Sequence, residues 1–123
     1  MGDLSTNFSR HEFACHGDHC CDHSAPISTE LVSALQSLRE TIGQSLTVSS
    51  GFRCRKHNRA IHGSKDSQHC LGMAADLDVP ENLTSEELAQ AAEQIPAFYR
   101  GGIGVYATWI HVDVRGTRAR WTI

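Results

Sequence analysis

His69 and Asp76 stand seven residues apart, with Gly72, Ala74 and Ala75 between them. An imidazole and a carboxylate are residue types that bind divalent transition metals, and the small residues between them leave room for close backbone approach. A third such residue, His111, lies in the run Trp109-Ile110-His111-Val112-Asp113. Period-two alternation there sends His111 and Asp113 to one face and Ile110 and Val112 to the other. Two imidazoles and one carboxylate form the protein ligand set of an open, catalytic zinc site, whose fourth position is left for water. The same three groups also read as hydrogen-bonded polar residues of a core, and a histidine seven residues before an aspartate is no general metal signature. Spacing alone leaves both readings standing.

Several elements must position these groups. Leu31, Leu35, Leu38 and Ile42 recur at helical spacing after Ser28 and before Gly43, which predicts a helix over 28–42. Leu46 to Ser50 alternates as a strand, ends at Gly51 and delivers Phe52 and Arg53 to its edge. A short helix through Asn58 to Gly63 and a polar loop over 64–72 follow, then an apolar strand from Met73 to Val79 interrupted by Asp76 and Asp78. Thr84-Ser85-Glu86-Glu87 matches a capping box and predicts a helix over 84–95, which Pro96 blocks from continuing. Gly101 to Ala107 and Trp109 to Val114 read as two strands joined by a tight turn, and Thr117 to Ile123 as a last edge strand. The expected fold is a small single α+β domain over 1–123, with an antiparallel sheet that carries the site and two or three flanking helices. Residues 1–27 form an irregular arm rich in cysteine and histidine, closed by Pro26.

Composition excludes some functions. A formal net charge of −3 gives no broad positive field for polynucleotide phosphates, so nucleic acid is not an expected partner. No run approaches the ~18 apolar residues of a membrane span, and the first residues lack the basic and then apolar blocks of a secretory signal. The chain is expected to be made in the cytoplasm and not to insert into a membrane. Eight histidines and five cysteines raise the prior for a transition metal.

The pattern Ser67-x-His69-x-x-Gly72-x-Ala74-x-Asp76, followed by His111 in a Trp-Ile-His-Val-Asp strand, resembles peptidase family M15, the zinc D-alanyl-D-alanine carboxypeptidases and related phage endolysins. Ser49 to Arg53 resembles the family's Ser-Gly-Tyr-Arg segment, and Asn58 and Gly63 fall where the family has them. The opening Asn7-Phe8-Ser9-x-x-Glu12-Phe13-x-Cys15 and the closing His111 to Trp121 resemble its short, single-domain phage branch. The resemblance implies a hedgehog/DD-peptidase-like fold, with His69, Asp76 and His111 as ligands of Zn2+. It makes Arg53 the group that meets a substrate carboxylate or polarised carbonyl, and Ser67 a hydrogen-bonding residue beside the metal loop. It further implies a monomer that hydrolyses stem peptides or cross-links of peptidoglycan, reaching the cell wall after holin-type release or as part of a virion.

The chain departs from the pattern at Thr108, where many relatives place a glutamate or aspartate three residues before the last histidine. Asp113 is the substitute expected as general base, or else as the group that orients a ligand imidazole. His57 and His62 are weaker candidates. The missing base keeps a second function open: a zinc-containing module of the same fold that binds walls or proteins without cleaving them. Cys15, Cys20, Cys21 and Cys54 are candidates for a second, structural zinc site that pins the arm, with a disulfide as the alternative. Cys70 reads as a small buried residue.

Overall fold

A computed structural model describes residues 4–17, 27–61, 63 and 67–122. Ser28 accepts a hydrogen bond from the Leu31 N–H and starts helix α1 (Thr29–Ile42), which Gly43 ends in the left-handed region at φ 68°. Leu31, Leu35 and Leu38 are fully buried along its inner face, and each such side chain contributes roughly 1.5–3 kcal/mol relative to exposure. Strand β1 (Thr47–Ser50), helix α2 (Arg55–Ala60), a 3-10 turn (Gln68–Leu71) and strand β2 (Ala74–Asp78) follow. The capping box forms as predicted, with Thr84 and Glu87 satisfying each other's backbone N–H groups at the start of α3 (Ser85–Glu93).

Pro96 does stop α3, but it also opens a further short helix, α4 (Pro96–Tyr99), that the periodicity does not reveal. A proline at the first helical position loses no hydrogen bond, and its fixed φ suits a helix start. Strands β3 (Gly102–Val105), β4 (Trp109–Asp113) and β5 (Ala119–Thr122) complete a five-stranded sheet in the order β1-β2-β4-β3-β5. Among the described residues the helices number four, rather than two or three.

The antiparallel sheet extends through four strands, and β5 pairs with β3 in parallel. Strand β4 is already paired on both edges, so the chain leaving it must reach the free edge of β3. It arrives at the end where β3 begins, and Ala119 N–H bonds the Gly101 carbonyl there. Running alongside β3 from its start makes the pair parallel.

Ala75, Leu77, Ile103, Ile110 and Val112 project from one sheet face into the core, with Leu88, Ala92 and Phe98 from α3 and α4. Asp76, His111 and Asp113 occupy alternate positions and face the other way. The arm is more than an appendage: Phe8 and Phe13 are buried in the same core, and Arg10–Phe13 form a 3-10 turn capped by Ser9 and Glu12. No described helix is long and apolar enough to cross a membrane.

Candidate metal centre

One row of residues crosses the whole sheet: Ser50, Asp76, His111, Gly104 and Trp121 stand beside one another on β1, β2, β4, β3 and β5. Strand register therefore places Asp76 directly opposite His111. His69 reaches the same point from the 3-10 turn, whose first carbonyls and amides Ser67 organises by accepting from the His69 N–H at 3.2 Å. Gly72, at φ 69°, then turns the chain into β2.

Hydrogen bonds select the nitrogen that each imidazole presents. His69 Nδ1 donates to the Gly51 carbonyl at 2.6 Å, because a carbonyl can only accept, and this leaves Nε2 facing Asp76 Oδ1 at 3.1 Å. His111 Nε2 donates to Asp113 Oδ2 at 2.7 Å, and its Nδ1 faces the same Asp76 oxygen at 3.1 Å. One donor atom from each of the three residues lies within 4.8 Å of the other two. This nitrogen and oxygen set fits a divalent cation, and each imidazole already has the outer hydrogen bond that metal-bound histidines use to hold their orientation.

Burial opposes ionisation of Asp76, but its interactions with the His111 and His69 imidazoles overcome it and hold the carboxyl down at about 2. Burial likewise pushes the His111 pKa down, and the carboxylates of Asp113 and Asp76 outweigh it and raise the pKa above the ordinary value. Asp113 is fully buried, yet it stays well below the usual carboxylate range through hydrogen bonds with His111, Arg115 and the Gly102 backbone. Its oxygens are fully engaged. Oδ1 accepts from Gly102 N–H and Arg115 Nε, while Oδ2 accepts from His111 and Arg115 Nη2. A Cβ at Gly102 would sit 2.3 Å from Asp113 Oδ2, so the glycine vacates the space that this carboxylate fills.

The three donors stand in a cleft of ≈ 470 Å³ that is also lined by Arg53, Ser67, Tyr106, Trp109, Arg115 and Trp121. Arg53 Nη1 donates to Asn58 Oδ1 at 2.9 Å and Nη2 lies 3.9 Å from Asp76 Oδ2. Its Nε is buried with no hydrogen-bond partner among the described residues. Gly63 makes this arrangement possible, since a Cβ there would fall 2.0 Å from Asn58 Oδ1 and 2.8 Å from Arg53 Nη1. Tyr106 stacks on Trp109 at 3.7 Å and accepts from Trp121 Nε1–H at 2.8 Å, and the Trp121 ring lies 5.1 Å from that of His111.

Of the residues singled out from sequence, His69, Asp76, His111, Arg53 and Ser67 share this cleft, and Asp113 lies behind His111. Thr108 is exposed in the turn between β3 and β4, and His57 lies on α2, outside the cleft lining. Cys15 and Cys54 place their sulfurs 3.8 Å apart, while burial pushes the Cys70 thiol up against the lowering effect of Arg55 and Arg53. Cys20, Cys21, Pro26 and His62 lie outside the described residues. Sequence reasoning assigned no role to Arg115, Tyr106 or Trp121. The signal for Arg115 and Trp121 lies in the closing His111 to Trp121 stretch that carries the family resemblance, where an arginine stands two positions after Asp113.

A family model described as Peptidase M15 matches residues 6–113, which span all three candidate ligands, Arg53 and Asp113. No curated protein matches the chain. The match covers most of the sequence, and the residues it spans converge in the fold on one metal-binding group, so the chain belongs to peptidase family M15, a family of metallopeptidases.

Proposed function

We propose that the chain is a zinc-dependent peptidase acting on the stem peptides or cross-links of peptidoglycan. The observation that carries this reading is the joint placement of the His69, Asp76 and His111 donors in one cleft with Arg53, whose buried Nε has no hydrogen-bond partner among the described residues. When bound, the cation supplies the Lewis acidity that peptide hydrolysis needs. Arg53 then offers a planar fork to a substrate carboxylate or carbonyl, already oriented by Asn58. Tyr106, Trp109 and Trp121 form a wall that holds the peptide against this fork and excludes water. Asp113 acts as the orienting carboxylate of His111 rather than as general base, because its oxygens already accept from His111, Arg115 and Gly102. The proposed protein works as a monomer at the cell wall, after release from the cytoplasm or as part of a virion.

A second reading has a specific observation in its favour. Asp76 is the only carboxylate among the described residues lining the cleft, so none of these residues offers a second carboxylate as base, and a binding module of the same fold would look alike. Digesting purified peptidoglycan with the zinc-loaded chain, and identifying new termini by mass spectrometry, separates the two. Chelator-sensitive release of peptide termini is the expected result. Wall binding with no new termini would replace the enzyme by the module.

A further inference from the structure

Next to the cleft residue Arg53, the arm and the loop after β1 meet at two thiols. Cys15 is 3 % exposed, and its Sγ lies 3.8 Å from that of Cys54, which is 39 positions away in sequence. Two thiolates held at ~2.3 Å by one tetrahedral cation sit roughly 3.8 Å apart, whereas a disulfide requires about 2.05 Å. We propose that Cys15 and Cys54 are ligands of a second, structural site for a thiophilic divalent cation of the zinc class.

The backbone on both sides of the pair is held where it stands. Phe52 N–H bonds the Phe13 carbonyl at 2.7 Å, and Gly51 packs so closely on Phe13 that a Cβ there would lie 2.6 Å from the Phe13 Cα. The Cys54 sulfur accepts from the His57 N–H at 3.3 Å, and the Cys54 carbonyl accepts from Asn58 N–H, so its position is tied to α2. A bridging cation matches this sulfur separation as it stands. A disulfide would have to draw the sulfurs nearly 2 Å closer against these contacts. The third described thiol, Cys70, directly follows His69, whose carbonyl accepts from the N–H of Arg53, the residue before Cys54.

The placement gives such a site a purpose. Phe13 abuts Gly51, whose carbonyl orients His69, and Cys54 directly follows Arg53. An ion that ties the arm to this loop fixes one ligand of the first centre and its arginine together.

Metal content of the full chain, loaded with zinc and freed of excess, tests the proposal, along with the absorption of the cobalt(II)-substituted protein. Two ions per chain are expected, together with a thiolate-to-cobalt charge-transfer band that a histidine and aspartate site cannot produce. The band and one ion are expected to survive His69→Ala. In Cys54→Ser, which retains a capping oxygen for α2, the band weakens or is lost and one ion goes, as also in Cys15→Ala. A single ion that disappears in His69→Ala with no thiolate band in wild type overturns the site, and the wild-type spectrum alone decides this if a cysteine variant does not fold. A Cys15–Cys54 disulfide found by peptide mapping overturns it equally. Peptidase activity is not a readout here, so failure of the thiol site and failure of the proposed function remain distinct.

Discussion

His111 Nε2 donates to Asp113 Oδ2 at 2.7 Å, and this bond turns the other ring nitrogen toward Asp76. Asp113→Asn therefore weakens metal binding by ~10–100-fold, the usual effect of losing an outer-shell partner, and activity recovers in part at saturating zinc. If Asp113 were the general base, affinity would hold and kcat would fall by ~10²–10⁴ at any zinc concentration. Metal titration beside kcat distinguishes the two.

His69→Ala removes a donor that no neighbouring described side chain replaces. The variant is expected to hold one ion fewer per chain than wild type after dialysis, and to lose peptide hydrolysis. Retention of full metal content and activity would refute the ligand set.

Arg53 depends on the empty space at Gly63. Gly63→Ala places a methyl 2.0 Å from Asn58 Oδ1 and must displace the Asn58–Arg53 pair. We expect kcat/KM to fall by an amount worth ~1.5–3 kcal/mol, the range for a hydrogen bond to a charged group, with metal content unchanged. Arg53→Ala should reproduce the defect, and Arg53→Lys should not restore the wild type, because a point charge cannot replace a planar fork. Steady-state kinetics with a stem peptide is the measurement.

Gly104 stands between His111 and Trp121 in the row across the sheet, and a Cβ there would lie 2.3 Å from Trp121 Nε1. Gly104→Ala expels the indole from the cleft wall and destabilises the fold by ~1–3 kcal/mol, as overpacking does. Trp121→Ala in the same chain should recover most of that loss, giving a clear coupling in a double-mutant cycle by chemical denaturation.

Glu93 on α3 accepts from Arg120 at 2.7 and 2.8 Å and from Arg118 at 3.3 Å, tying β5 and its Trp121 to the helical layer. The Arg120 guanidinium beside it lowers the Glu93 pKa below the ordinary value, ahead of an opposing effect of burial. A lowered folded-state pKa adds stability that is fully present above the unfolded value and is lost as pH falls through the folded one. Glu93→Gln should therefore lower stability by up to ~1 kcal/mol near neutral pH, the scale of a partly exposed pair, and the difference from wild type should vanish in acid. Denaturation midpoints measured across pH test the sign.

The chain's local chemistry determined a good part of this architecture. Helix α1 was legible from its leucine spacing, Ser28 and Gly43, and α3 from Thr84 and Glu87, because caps and periodicity act within one or two turns. The motif around His69 and Asp76 and the alternation at His111 carried the family and the metal group for the same reason: they are short-range patterns. Only the tertiary structure decided what lies across from what. The pairing of Asp76 with His111, the seating of Asp113 between His111, Gly102 and Arg115, and the passage of Trp121 over Gly104 all follow from strand register. The parallel placement of β5 and the 3.8 Å approach of Cys15 to Cys54 likewise join segments far apart in the chain. Such partnerships arise from burial and the filling of free sheet edges, which depend on the whole packed domain and leave no periodic trace in any single stretch of residues.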